Sequence, residues 1–303
     1  MRIILDTTKL TDIFIVCDDF SQNLSTYCLA YQTPKQPADR LMSESEMMAI
    51  VIFYHHSGFK CFKYYYEQII CKALCSYFPL TYSYCRFVHR MQQLNFPLFV
   101  LLPACRMSVP TQGNYIDATK LVVSHNKRIT QHKTFAGLAK RGKSSTGWFF
   151  GFKLHAVINH LGQLVVLQIT PGNVADNNLN LLQQLTARLK GFLFGDAGYI
   201  SSITKDLQER GLQLITKLRT NMKPQQLTPE EKYYLGHRGL IETVFGQLKN
   251  LCNIEHSRHR SVKNFFVNFF SALLAYTFLD TFPAIPTYVK KLSQINGTDS
   301  VLI

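Results

Sequence analysis

Three acidic residues at widely separated positions could share one metal-dependent reaction. Asp117 stands in Tyr-Ile-Asp-Ala-Thr, Asp196 follows Phe-Leu-Phe-Gly, and Glu242 lies in an apolar-periodic stretch between Arg238 and Lys249. Hydrolysis or transfer of a phosphodiester by two metal ions needs carboxylates that hold two Mg²⁺ ions roughly 3.5–4 Å apart. Mg²⁺ takes a few carboxylates together with water and phosphate oxygens. The three acids are therefore candidate catalytic metal ligands.

Each acid also has an ordinary structural explanation. Arg238, Glu242 and Lys249 share one face of a helix, where they can form a plain ion-pair network. Asp196, between glycines, is most often a turn former. Asp117 is harder to explain, because Asp is disfavoured in strands and a buried charge must be paired or bind metal. Asp176 is predicted to be a helix N-cap without a catalytic role.

The elements around these acids predict a mixed α/β sheet. Asn114–Val123 is predicted to be a strand, and Trp148–Ile158 with Gln163–Thr170 to be a hairpin. The remaining elements follow in sequence: a helix Asn177–Leu189, a strand Gly191–Phe194, a helix Ser201–Arg210, a strand Leu212–Leu218, and a helix capped by Thr228 and Pro229 that leads to Glu242. The order is β-β-β-α-β-α-β-α.

The N-terminal residues 1–105 are predicted to be helical. Ser43 with Glu46 forms a capping box, and Tyr82–Leu94 is a helix that carries Arg86 and Arg90. A helix-turn-helix-like DNA reader and a plain helical bundle both fit this pattern. Near the other end, the apolar run 265–279 contains Asn268 and is short for a membrane span, so a buried helix and no membrane partner are predicted.

The basic charge is concentrated in one part of the chain. The net charge is +14, but residues 1–105 hold nine basic and eight acidic side chains, so nearly all of the excess lies after them. No acid stands between Asp117 and Asp176. Such a segment predicts a surface for a polyanion, most often nucleic acid. The predicted DNA contacts in it are Lys120, Lys127, Arg128, Lys140, Arg141 and Lys143.

The cysteines and the N-terminus predict a cytoplasmic protein. The eight cysteines show no CxxC pair, which argues against a zinc site. Asp6 and Lys9 interrupt any signal-peptide layout. Reduced cysteines in the cytosol are the expectation.

With its three acids, the element order resembles the ribonuclease-H-like core of DDE transposases. The third motif of that family often has Arg, three residues, Glu, six residues and Lys, which Arg238, Glu242 and Lys249 match; its tyrosine position is Leu235 here. The phrases around Asp117, in Gly195–Tyr199 and in Leu218–Lys223 look like the nine-eighty-two family of bacterial insertion-sequence transposases. The resemblance covers about residues 40–280.

This resemblance implies a specific activity. Asp117, Asp196 and Glu242 would hold two Mg²⁺ ions, with Mn²⁺ as a substitute, while Arg238 and Lys249 would contact DNA at the element ends. Residues 106–280 would form the catalytic domain, residues 1–105 a helical domain that binds DNA ends through Arg86 and Arg90, and residues 281–303 a C-terminal tail. The enzyme would cleave at terminal inverted repeats and transfer the strand, working as a homodimer on double-stranded DNA in the bacterial nucleoid.

Two other functions remain open from the sequence. A related metal-dependent nuclease would hydrolyse DNA without strand transfer, and the residues do not separate joining from cutting. A non-catalytic DNA-binding derivative of a transposase is the other, although the presence of all three acids argues against it.

Overall fold

In the computed structural model, the described residues are 5–28, 41–199, 203–217, 226–255 and 259–289. The chain divides into two compact units, Met1–Arg106 with Gln247–Leu279, and Met107–Gly246 with Asp280–Ile303. Functional domains at 1–105 and 106–280 and a tail at 281–303 stay predictions. Among the described helices, none is long and apolar enough to cross a membrane.

The first unit is built from helices wherever the structure describes it. They are α1 (Thr7–Cys28), α2 (Glu44–His56), α3 (Phe62–Tyr64) with π-helical turns Tyr65–Ala73, α4 (Tyr84–Arg90) with a 3-10 turn Met91–Leu94, α5 (Asn95–Leu101) with π-helical turns Leu102–Arg106, and α10 (Val262–Thr277). The predicted capping box at the start of α2 is present, since the Ser43 side chain accepts from Glu46 N and the Glu46 side chain accepts from Ser43 N.

Helix α10 is the buried helix that the apolar run predicts. It packs against α2 and α5 within the first unit. Its apolar side chains, such as Phe265 and Phe269, are almost fully buried. The N-terminal helices therefore share their core with a segment far along the chain.

The second unit contains a mixed sheet of six strands among the described residues. They are β1 (Gly113–Ser124), β2 (Lys140–Ser144), β3 (Gly147–Asn159), β4 (Leu164–Pro171), β5 (Gly191–Gly195) and β6 (Leu212–Thr216). The order is β2-β3-β1-β5-β6, and β4 also pairs with β3. Strands β1–β4 pair antiparallel, whereas β1, β5 and β6 are parallel. The mixed α/β class is confirmed, with β2 as one strand more than predicted.

The helices of this unit place apolar side chains on the sheet. They are α6 (Leu179–Thr186), α7 (Thr204–Glu209), α8 (Pro229–Gly236) and α9 (Gly239–Asn250), whose last residues fall in the first unit. Ile116 and Val157 belong to a core cluster with leucines of α6 and α7. Elsewhere on β1 and β5, Tyr115 and Phe194 pack together, and Phe194 packs against Tyr234 of α8. Because successive strand residues point to opposite faces, helices cover both faces of the parallel half of the sheet.

The predicted N-cap at Asp176 is wrong. Helix α6 begins at Leu179, and its N-cap is Asn178, whose side-chain oxygen accepts from Leu181 N at 3.1 Å. Asp176 instead accepts from Lys153 Nζ at 2.9 Å. At α8, by contrast, the predicted Thr228 cap is present and forms a capping box with Glu231.

Candidate active site

Two neighbouring parallel strands carry Asp117 and Asp196 to the same level of the sheet, just beyond the point where their pairing ends. Tyr115 of β1 lies opposite Phe194 of β5, and each aspartate stands two residues beyond that pair. Each carboxylate accepts a hydrogen bond of 2.8 Å from the backbone N–H that follows it, at Ala118 and at Ala197. Both carboxylates are therefore held by the backbone, Asp117 within β1 and Asp196 just after β5.

Arg238 joins two of the predicted metal ligands. Its Nη2 lies 2.9 Å from Glu242 Oε1, one helical turn further along the chain, and its Nη1 lies 3.9 Å from Asp117 Oδ2. The side chain of Glu242 is 59% exposed, whereas those of Arg238 and Asp117 are 18% and 24% exposed. The structure thus brings a strand residue and a helix residue together through one partly buried guanidinium.

The carboxyl group of Asp117 is only weakly acidic in this position. Its pKa is raised to about 6, chiefly by burial and also by the nearby carboxylates of Asp176 and Glu242, while the Ala118 N–H and the Arg238 cation act to lower it. A neighbouring cation favours the ionised form of a carboxyl group. Binding of any cation beside Asp117 is therefore expected to release a proton when the pH is near or below 6.

Asp176 stands near this site, with a different set of partners. Its Oδ1 lies 2.9 Å from Lys153 Nζ and 3.9 Å from Nδ1 of His155. His155 is fully buried, and its Nε2 lies 2.9 Å from Thr170 Oγ1. Burial lowers the pKa of His155 to about 4, so the ring is neutral at pH 7. The sequence did not predict that Asp176 pairs with Lys153 beside His155. The only signal was that Lys153 lies in a segment without acids and therefore needs an acidic partner from outside it.

Tyr199, the last residue of the Gly195–Tyr199 phrase, places a hydroxyl among these acids. The side chain is 2% exposed, and its hydroxyl has no hydrogen-bond partner among the described residues. Burial raises the pKa of Tyr199, and the charges of Asp117, Asp176 and Asp196 raise it further. A neutral hydroxyl here is able to donate to a carboxylate or to a bound water.

The three acids fit a divalent metal by their chemistry. Carboxylate oxygens are the ligands that Mg²⁺ prefers. Among the described residues, no group of three or more His, Cys, Asp or Glu already stands close enough to hold an ion. The positive charge between Asp117 and Glu242 is the Arg238 guanidinium. Metal binding would therefore compete with Arg238 for these two carboxylates.

A basic hairpin with an exposed tryptophan lies in the same unit. The Trp148 ring is 56% exposed, with the Arg141 guanidinium 5.5 Å and the Lys143 ammonium 5.9 Å from its centre. Lys120 Nζ donates to Thr146 Oγ1 in the hairpin turn at 2.6 Å. The other predicted contacts, Lys127, Arg128 and Lys140, are exposed. Trp148 was missed from the sequence, since one aromatic residue gives no periodic signal.

The remaining predicted contacts lie in the first unit. Lys249 Nζ lies 3.3 Å from Glu255 Oε2. The guanidinium groups of Arg86 and Arg90 stand 5.1 and 4.8 Å from the centre of the Tyr82 ring. The Leu218–Lys223 phrase lies outside the described residues.

Comparison with known families settles the family. The model of the transposase DDE domain matches residues 107–262, which is more than half of the chain. The chain belongs to the DDE transposase family. Neither a curated protein nor a solved structure matches the chain.

The matched segment contains the site just described. Asp117, Asp196, Arg238 and Glu242 all lie within residues 107–262, as does the basic hairpin. DDE transposase domains generally use divalent metals and act on DNA, so the family implies a metal-dependent, nucleic-acid-processing enzyme. The prediction of a DDE transposase is therefore confirmed at the level of the family.

Proposed function

We propose that this DDE transposase binds the terminal inverted repeats of an insertion sequence, cleaves at the ends and joins the freed 3′-hydroxyl to target DNA. The observation that carries the proposal is the contact of Arg238 with both Asp117 and Glu242, at the level of the sheet where β5 ends and Asp196 follows. Separate elements converge on one acidic site inside the matched domain. Such convergence is what metal-dependent phosphodiester chemistry requires.

A ribonuclease-H-like core is part of the proposal. Omitting β2, the sheet order is β4-β3-β1-β5-β6, with antiparallel pairs on one side of β1 and parallel pairs on the other. This arrangement supports the predicted core, and β2 is then an added strand on β3. The match of Arg238, Glu242 and Lys249 to the third motif supports a DDE catalytic domain, and the phrases around Asp117, in Gly195–Tyr199 and in Leu218–Lys223 support membership of the nine-eighty-two family.

In the proposed mechanism, Asp117, Asp196 and Glu242 would hold two Mg²⁺ ions, with Mn²⁺ as a substitute. Such ions would supply activation of the attacking oxygen and stabilisation of the leaving oxygen. Arg238 neutralises Asp117 and Glu242 in the metal-free protein, and its guanidinium would bind a phosphate oxygen of the DNA when it is released from them. The Tyr199 hydroxyl, which has no partner among the described residues, would donate to one of the ionised carboxylates.

Cleavage of supercoiled DNA tests this function. A plasmid with a matching pair of element ends is expected to be cut at those ends in Mg²⁺ or Mn²⁺ and to stay intact in EDTA. Pre-cut ends are expected to join to a second DNA. A plasmid without ends is the control.

The outcomes separate the alternatives. Cutting without joining of pre-cut ends would show a nuclease, and specific binding to the ends without cutting would show a non-catalytic DNA-binding derivative. The absence of both binding and cutting would reject the proposal.

End recognition is proposed for the helices before residue 106. Arg86 and Arg90 present two cations on one face of α4, both stacked on Tyr82, and arginines at this spacing are able to reach base edges. Deleting residues 1–105 would not test end recognition alone. Helix α10 packs against α2 and α5, so the deletion would also expose the apolar side chains of α10 to water. Point substitutions are therefore preferable.

Replacing Arg86 and Arg90 by Ala is expected to lower the preference for the element's own ends over random DNA by roughly tenfold to a hundredfold. This range follows because a good base contact contributes about 1–3 kcal/mol of discrimination. Binding to random duplex should change little, because most of the net charge lies after residue 105. Competition assays with end and random duplexes measure the ratio, and Lys72→Ala is a control for one lost surface charge. An unchanged ratio would assign these helices a purely structural role.

The partners follow from the same proposal. Double-stranded DNA, as element end and as target, is the proposed ligand, and a homodimer that holds two ends together is the proposed assembly. A DNA partner of this kind places the protein in the bacterial cytoplasm with the nucleoid.

A further inference from the structure

Helix α10 carries a polar stripe that its apolar surroundings do not explain. Asn264, Asn268 and Ser271 are spaced by four and three residues, so they share one face of the helix. Asn264 Oδ1, Asn268 Nδ2 and Ser271 Oγ are buried and have no hydrogen-bond partner in the part of the chain that the structure describes. Ser271 is fully buried. Buried polar groups without partners cost free energy, so three on one stripe need a cause.

All three side chains line one cavity of the first unit. Its volume is about 340 Å³, within the usual range of ligand pockets. Other lining residues come from α2, α3 and α4 and include the rings of Tyr54, Phe62 and Tyr84. The Phe62 ring lies 5.1 Å from that of Tyr54 and 6.5 Å from that of Tyr84, centre to centre. The cavity is thus lined by an aromatic cluster as well as by the polar stripe of α10.

The chemistry of these walls selects a planar ligand with a polar edge. An asparagine amide both donates and accepts, and a serine hydroxyl does the same, so the α10 wall can match a mixed edge of donors and acceptors. Aromatic side chains stack on the faces of bases whatever their identity. Arg260, also in the lining, is exposed and supplies a cation for a phosphate. A nucleobase attached to a phosphate has all three features.

We propose that this cavity is a nucleobase pocket, in which Asn264, Asn268 and Ser271 bind the edge of an unpaired base whose phosphate contacts Arg260. The proposal rests on the proposed function, in which DNA is the partner of the protein. It assigns to the protein a second DNA-binding site, which takes a base that is no longer stacked in the duplex. Extruding a base is least costly where the duplex is already broken or mismatched. The ligand is therefore an unpaired base in a DNA strand, and a free nucleotide is the other source of the same chemistry.

The test uses the full-length protein without metal, so that catalysis plays no part. Two fluorescent duplexes are compared at one salt concentration, one with a single bulged nucleotide and one with an abasic residue in its place. We expect the bulged base to bind about tenfold tighter. Free deoxynucleoside monophosphates form a separate arm, and they should compete with the bulged duplex but not with plain duplex.

Substitutions in the cavity identify the site. Asn268→Leu with Ser271→Ala should remove the tenfold preference, leave the binding of plain duplex unchanged and raise the melting temperature, because orphaned polar atoms are removed. Lys263→Gln, an exposed position of α10 outside the cavity lining, should keep the preference. A double variant that keeps the full preference would overturn the assignment to this cavity.

The affinities of the wild-type protein for the bulged and the abasic duplex test the proposal even if the double variant does not fold. Equal affinity for bulged and abasic duplexes, with no binding of monophosphates, would refute the nucleobase pocket while leaving DNA binding itself intact. Tight binding of monophosphates without a preference for the bulge would support the pocket and assign it to free nucleotides. Failure to bind any duplex would count against the proposed function instead.

Discussion

Replacing Asp117 by Asn is expected to lower metal-dependent DNA cleavage by roughly a thousandfold or more, and Asp196→Asn and Glu242→Gln should do the same. Metal ions contribute several kcal/mol to transition-state stabilisation, and each 1.36 kcal/mol is a factor of ten in rate. The amide keeps the shape of the side chain but lacks the charge that holds a divalent ion. Plasmid cleavage in Mg²⁺, with DNA binding measured in parallel, gives the result.

The same Asp117 substitution should stabilise the folded protein at pH 7. The folded-state pKa of Asp117 is about 6, above its ordinary value of 3.8. The protonated carboxyl group therefore adds to the free energy of unfolding below pH 3.8, and this contribution is lost as the pH rises to about 6. The Asn variant does not titrate, so its free energy of unfolding does not undergo this decrease of at most about 3 kcal/mol.

Thermal unfolding between pH 4 and pH 8 measures this effect. The wild-type curve should fall relative to that of Asp117→Asn across pH 4 to 6 and stay lower above it. Asp206→Asn, on the exposed surface of α7, is the matched control and should leave both cleavage and the pH profile unchanged. Full cleavage activity in any of the three acid variants would remove that residue from the site. A destabilised Asp117→Asn would show that the Arg238 contact outweighs the cost of burial.

Elements that are specified locally could be predicted from the sequence. Ser43 with Glu46, and Thr228 with Glu231, form capping boxes within four residues of chain, and both are present. Strand β1 was also predicted to within a residue at each end, because it is rich in aromatic and β-branched residues. In each case the signal and the structure depend on the same few neighbours.

Elements that depend on distant partners could not be predicted. Strand β2 consists of Lys-Arg-Gly-Lys-Ser, which has no apolar alternation, and it is a strand because it pairs with β3. Asp176 was predicted to be the N-cap where Asn178 is, because both residue types are good N-caps; Asp176 instead pairs with Lys153, a residue 23 positions away.

The candidate site likewise contains one contact that is specified locally and others that depend on distant residues. The spacing of Arg238 and Glu242 on one helix face predicts their contact, which the structure has at 2.9 Å. The contact of Arg238 with Asp117 depends on how α9 lies against β1, which no local pattern contains. The burial of the Tyr199 hydroxyl without a partner among the described residues likewise depends on packing that no local pattern contains.

Removing the cations of β2 should weaken DNA binding far more than removing the same charge elsewhere. Lys140, Arg141 and Lys143 lie on one short exposed strand beside Trp148. If each neutralises one phosphate, the triple Ala variant should lower the slope of log K against log salt by about 2.7, at about 0.9 per contact. At about 0.1 M salt this corresponds to a loss in affinity of roughly a hundredfold or more.

Trp148 provides a direct measurement, because it is the single tryptophan of the chain. Its fluorescence should change when DNA binds to the wild-type protein, and base–aromatic stacking would quench it. A control variant with Arg188, Lys190 and Lys205 replaced by Ala loses the same charge from exposed positions of the same unit. It should keep the wild-type salt slope and the fluorescence change. Equal slopes for the two triple variants would mean that diffuse net charge, and not the β2 hairpin, binds the phosphates.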